Sequence, residues 1–127
     1  MINDKITKEV FKLECPICNL HTCGSEDIVS QTDRWVVRVK KNEVNGYHIL
    51  EPKRHLTSWG EFNIQELTEM GSIIQTLETL LKKEYMAEKV YIVTISELVP
   101  HLHLHVIPRN KNSNIKGLPL IEKALQS

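Results

Sequence analysis

Three histidines alternate with leucine in the run His101-Leu102-His103-Leu104-His105-Val106-Ile107. Side chains alternate across an extended strand, so His101, His103 and His105 would share one face. Leu102, Leu104 and Val106 would share the other, which should face a core. Neighbouring imidazoles in such a row sit about 6.5–7 Å apart. Burying them is costly unless each ring has a partner. Three readings fit these residues by themselves. The row could be a solvated polar face, although such faces seldom use histidine alone. Two of the rings, such as the His101/His103 pair, could chelate a metal carrying a water. Or one imidazole could be a nucleophile flanked by donors to a phosphate. Spacing does not separate the last two.

A second cluster lies near the N-terminus. Cys15-Pro16-Ile17-Cys18 has the C-x-x-C spacing that lets two thiolates share one zinc ion, and His21 and Cys23 follow closely. A local set of Cys15, Cys18, His21 and Cys23 satisfies spacing. Inert free thiols and a redox pair also compete, the latter without the strand–helix context it usually has. An odd, clustered set of three cysteines favours metal or free thiols over disulfides.

These residues need elements to hold them. Residues 1–12 have helical spacing at Ile6, Val10 and Leu13. Residues 15–25 read as a loop, punctuated by proline, asparagine and glycine. Residues 30–41 read as a strand, Asn45-Gly46 as a hairpin turn with both residues at positive φ, and 47–51 as the return strand ended by Pro52. Residues 57–62 read as a turn. Asn63 and Glu66 form a capping-box pattern at the start of a helix to about Met86. Ile64, Leu67, Met70, Ile74, Leu77, Leu81 and Tyr85 give it one apolar stripe, whose ordinary role is core packing. Two more strands follow at 89–96 and 101–107, then a polar, weakly helical tail over 110–127. The order predicts an α+β fold, a mostly antiparallel sheet of about five strands packed on one long helix.

Length and charge narrow the function. The 127 residues suit a single domain over 1–127. Lysine plus arginine equals aspartate plus glutamate at 16 each, so no global basic field favours long nucleic acid. A small anionic substrate remains open. No apolar run reaches membrane-helix length, and the N-terminus lacks a signal-peptide core, so a cytoplasmic protein with no membrane partner is expected.

The triad run and the segment Gly46-Tyr47-His48-Ile49-Leu50-Glu51-Pro52-Lys53-Arg54-His55 together resemble the histidine triad family, whose upstream element reads Gly-x-His-x-Leu-x-Pro-Lys-x-His. The order hairpin, long helix, triad strand agrees, and the resemblance covers roughly residues 11–109. It implies a nucleotide-binding enzyme that cleaves at the α-phosphate through a nucleotidyl-histidine. His103 matches the nucleophile. His105 matches the last triad histidine, on the phosphate and leaving-group side. His48 matches an upstream histidine that reaches the same site. In the zinc-bearing branch, which is similar also to galactose-1-phosphate uridylyltransferase, the ligands carried over are Cys15, Cys18, His55 and His101, a closed structural set. Symmetric homodimers are implied as well. For the base, Val37 and Val39 are loose candidates for a wall, while Trp35 reads as core.

The chain departs from the family just before the triad. Many members have a Gly- and Asn-rich stretch ending in a phosphate-holding Gln, where this chain has Thr94-Ile95-Ser96-Glu97 and no glycine. Glu97 would repel a phosphate unless it turns away, is protonated or is paired. Ser96 and Thr94 offer hydroxyl donors. The departure leaves open a dinucleoside polyphosphate hydrolase, a nucleoside phosphoramidate hydrolase and a nucleotidyltransferase. A nucleotide sensor with little turnover and the metal-water hydrolase stand as rivals.

Overall fold

The structure, a computed structural model, describes residues 14–126, so the expected helix over 1–12 lies outside the described residues. Its elements are α1 (Pro16–Cys23), β1 (Ile28–Gln31), β2 (Trp35–Val39), β3 (His48–Pro52), a 3-10 turn (Trp59–Glu61), α2 (Ile64–Glu84), β4 (Ala87–Val93), β5 (Leu104–Asn110) and α3 (Leu118–Gln126). The five strands form one sheet in the order β1-β2-β3-β5-β4, with every neighbouring pair antiparallel. The expected α+β architecture is present.

Local differences have local causes. The strand expected over 30–41 is two strands. Thr32 breaks it, its hydroxyl accepting from the backbone N–H of Trp35 at 3.0 Å and of Arg34 at 3.3 Å. The hairpin between β2 and β3 is not a two-residue turn. Its register runs on to Lys40 and Tyr47, Val44 is buried in the loop, and of the pair only Gly46 has positive φ, at 91°. A Cβ on Gly46 would lie 3.0 Å from the Tyr85 ring, so the close approach as well as the φ asks for glycine. Pro52 lies inside β3 at its end, opposite Trp35, as a strand-terminal proline can.

α2 begins as expected. Asn63 Oδ1 accepts from Glu66 N at 2.8 Å and Glu66 Oε1 accepts from Asn63 N at 2.9 Å. Its apolar stripe packs on one sheet face, where Leu77 and Leu81 join Trp35, Val37, Leu50, Leu104 and Val106. Ile64, at the first turn, stays 70% exposed and outside that core.

The opposite face carries the chemistry, and two short helices cover it. Residues 15–25, expected as a loop, fold as α1. Proline opens the helix, Cys15 Sγ caps it by accepting from Cys18 N at 3.4 Å, and Gly24 closes it at φ 80°. The tail is also structured. α3 buries Leu120 and Ala124 against Val44, Tyr47, Ile49 and Ile107.

Candidate functional site

The start of α1, the segment after β3 and the segment before β5 bring four ligand-type side chains together. Cys15 Sγ, Cys18 Sγ and one ring nitrogen each of His55 and His101 all lie within 4.8 Å of one another. His101 Nδ1 is 3.6 Å from Cys15 Sγ and 3.4 Å from Cys18 Sγ, and His55 Nδ1 is 3.3 Å from Cys18 Sγ. A tetrahedral ion with bonds of about 2.3 Å to sulfur and about 2.0 Å to nitrogen spaces its ligand atoms roughly 3.3–3.8 Å apart. The three measured spacings match such an ion, and the donor set is of the right chemistry to hold one. The tautomer fits too. His101 Nε2–H donates to the Pro52 carbonyl at 2.7 Å, which leaves the Nδ1 lone pair facing the thiols. Burial pushes the His101 pKa down to about 4, against the hydrogen bond to Pro52. The ring is neutral at ordinary pH.

β5 starts at Leu104 rather than at His101, so only His105 of the triad is inside the strand. His101 and His103 occupy the extended approach to it. The row splits accordingly: His101 is fully buried at the cysteines, whereas His103 and His105 are partly exposed with ring centroids 5.0 Å apart. His103 Nδ1–H donates to the His101 carbonyl at 2.8 Å. Ser96 and Thr94 hold the same residue from behind. Ser96 Oγ accepts from His103 N at 3.1 Å and Thr94 Oγ1 donates to the His103 carbonyl at 2.9 Å. In neutral His103 the remaining nitrogen, Nε2, carries the lone pair.

His103 and His105 open onto a cavity of about 250 Å³. Its floor is the sheet face, with Arg38, Lys40, Tyr47, Ile49 and Glu51, and Pro16, Ile17 and Leu20 of α1 and Leu125 of α3 form walls. Tyr47 Oη lies 2.5 Å from His105 Nδ1. Burial pushes the Tyr47 pKa up to about 12, opposed by the Arg38 charge, so the phenol is protonated and is the donor. Burial, with the nearby His103 and Lys40 charges, pushes His105 down to about 4. His105 is thus neutral at pH 7 with its proton on Nε2. One ring has an acceptor nitrogen to offer and its neighbour a donor.

At the far end of the floor, Glu51 is fully buried and doubly engaged. Arg38 Nε and Nη2 donate to its two oxygens at 2.9 and 2.8 Å, and His21 Nε2 lies 2.9 Å from Oε1. Burial raises the Glu51 pKa, but the bonds from His21 and Arg38 outweigh it and the net shift is downward.

Sequence comparison decides what these parts belong to. A family model described as HIT domain matches residues 24–112. The chain belongs to the HIT domain family. No curated protein matches this HIT chain significantly in sequence. In fold it is similar to a zinc-bound histidine triad family protein from Mycobacterium smegmatis, with TM-score 0.70 and 16% identity over 83% of this chain and 81% of the other. A hypothetical histidine triad nucleotide-binding protein from Sulfolobus tokodaii gives TM-score 0.67 and 20% identity, over 82% and 76%. The diadenosine triphosphate hydrolase of Plasmodium falciparum gives 0.64 and 16%, over 81% and 74%.

Several expectations for this HIT protein change. His48 is not at the cavity. It pairs with Val106 on the α2 face of the sheet, 3% exposed, with its ring edge-on to Tyr85 and Nδ1 bonded to the Gly46 carbonyl at 2.7 Å. A shift of one residue along a strand exchanges faces, and the side chain that reaches His105 from β3 is Tyr47. The alternation Tyr47, Ile49, Glu51 against His48, Leu50, Pro52 carries that signal once Leu50 is taken as core. Ser96 does not line the cavity; it braces His103. Its φ of 54° is a left-handed value. Val37 belongs to the core under α2, on the wrong face for a base wall, and so is Val39 by alternation. Glu97 is exposed and does not line the cavity. His21 is committed to Glu51 and Cys23 is exposed, so neither joins the metal group. His101 and His103 address different sites, which removes the shared metal-water reading. Among the described residues, no helix is long and apolar enough to cross a membrane.

Proposed function

We propose that this HIT protein binds a nucleotide in the His103–His105 cavity and cleaves it at the α-phosphate through a nucleotidyl-histidine. The observation that carries this is the His103 Nδ1–H bond to the His101 carbonyl, 2.8 Å long, which leaves Nε2 as the nucleophilic nitrogen beside the cavity. His103 Nε2 forms a bond to phosphorus while the bond to the leaving group breaks. His105 Nε2–H serves the phosphate and leaving-group side, as a donor to the charge that develops there. Water then attacks the same phosphorus as the N–P bond breaks; that bond's electron pair returns to His103 Nε2, the water's proton passes to solvent, and the nucleoside monophosphate is released. With another acceptor in place of water the same adduct makes a transferase. The substrates that suit this chemistry are a dinucleoside polyphosphate or a nucleoside phosphoramidate.

Zinc in the Cys15, Cys18, His55, His101 group would have a structural part. The four protein ligands leave no open position, so the ion would fasten α1 to the residues that carry His103. A thiolate metal group suits a reducing cytosol. A homodimer fits the sheet edge at β4, where Ile92 is 41% exposed, and the outer face of α2, where Leu80 is 40% exposed.

The test is turnover of adenosine 5′-phosphoramidate and diadenosine tetraphosphate by wild type and His103→Ala, with products separated by chromatography. Turnover of either by wild type, lost by at least about a thousandfold in the variant, is expected of a removed nucleophile. Tight nucleotide binding with no turnover of either would replace the enzyme with a sensor.

A further inference from the structure

Arg38 has two hydrogen-bonding edges, and the protein uses only one. The Nε–Nη2 edge is spent on Glu51, at 2.9 and 2.8 Å. The other edge, Nη1 with the second N–H of Nη2, makes no hydrogen bond among the described residues, although the Arg38 side chain is only 16% exposed and lines the cavity. A guanidinium gripped on one side by a fully buried carboxylate, which His21 grips in turn, cannot swing away. Its free edge is a rigid fork of the geometry that two adjacent oxygens of one phosphate fill.

The surroundings favour an anion. Lys40, one residue past the end of β2, lies two residues on from Arg38 and about 6.5–7 Å away at the backbone, and it also lines the cavity. Glu51 is balanced by Arg38, so Lys40 leaves this end of the cavity net positive. Register sets the reach. Ile49 pairs with Arg38 on one side and with His105 on the other, so two strand spacings, roughly 9.5–10 Å, separate the fork's backbone from that of His105. That separation suits a group on the ribose better than the phosphate bonded directly to the scissile one.

We propose that Arg38 and Lys40 form a second anion subsite, and that the substrate is a nucleotide carrying a further phosphate on its ribose. This inference rests on the nucleotide reading of the His103–His105 cavity. It makes Arg38 a specificity-determining residue and Glu51 and His21 the residues that position it.

The experiment is calorimetric titration of the wild-type protein with AMP, adenosine 3′,5′-bisphosphate, adenosine 2′,5′-bisphosphate and GMP. Arg38→Lys keeps a cation for Glu51 but loses the fork, and Lys40→Gln changes only an exposed side chain. Wild type is expected to bind one of the bisphosphates at least about tenfold more tightly than AMP. The ratio of bisphosphate to AMP affinity should fall to near unity in Arg38→Lys and drop severalfold in Lys40→Gln. Equal affinity for AMP and both bisphosphates overturns the subsite and leaves the nucleotide reading intact. So does a preference that survives in both variants. Selection of GMP over AMP, lost in Arg38→Lys, overturns it as well, because the fork would then be reading a base edge. If none of the four ligands binds, the nucleotide reading fails and the subsite with it.

Discussion

Tyr47 holds His105 in a single protonation pattern. The phenol, pushed up to about 12 by burial, donates to Nδ1 of an imidazole that burial and neighbouring charges push down to about 4. Tyr47→Phe should therefore free His105 to exchange tautomers without unfolding the protein. The expected result is about a tenfold loss in kcat with KM little changed, a fraction of the roughly 10²–10⁴-fold a well-placed proton-transfer group contributes. Imidazole nitrogen chemical shifts provide the separate readout: His105 should change from a protonated Nε2 to mixed tautomers. Unchanged shifts would show that Tyr47 does not hold the ring.

The same depression of His105 sets a pH dependence of stability. Its folded pKa lies below the ordinary 6.5, at about 4, so the unfolded chain binds the extra proton first. Stability must fall as pH drops from about 6.5 towards 4, by up to about 3 kcal/mol from this group. Urea titrations at intervals across that window check it. Replacing His105 by Asn should flatten the slope relative to wild type; an identical slope would remove His105 as its source.

Metal removal should loosen the fold without touching the cavity directly. Elemental analysis is expected to find about one zinc per chain. Cys18→Ser, or a strong chelator, should lower Tm by about 10 °C or more, since binding energy at such sites is folding energy. Activity at low temperature should fall less than stability does. Full metal content in Cys18→Ser would contradict the ligand set.

Glu51→Gln should be costly, because Arg38 and His21 are left facing a neutral amide in a buried place. The expected loss is about 3–4 kcal/mol in urea unfolding. The native carboxylate also contributes acid sensitivity. Its pKa is lowered on folding, so its stabilisation is present above the ordinary 4.5 and is lost as pH falls below it. A variant as stable as wild type at pH 7 would show the network to be dispensable.

Much of this site could be read from residue order. The C-x-x-C pair, His55 and His101 meet in space, and the long helix starts at its Asn63 cap, because strong local patterns survive packing. The errors of strand facing share one origin: which face of a strand a residue takes depends on a partner far away in sequence. His48 lost its place to Tyr47 in this way, since a single residue of register reverses the faces of β3. Arg38, Glu51 and His21 come from β2, β3 and α1, and nothing local signals that they converge. The left-handed φ of Ser96 was likewise invisible, because serine does not advertise it as glycine does.

The most direct measurement is intact-mass analysis of wild type quenched in alkaline denaturant during turnover, since a phosphoramidate bond survives base better than acid. The nucleophile assignment predicts an adduct of one nucleoside monophosphate residue, mapped by peptide sequencing to His103 and absent from His103→Ala. Steady turnover with no adduct, and with activity retained in His103→Ala, would contradict it and place the chemistry on another group.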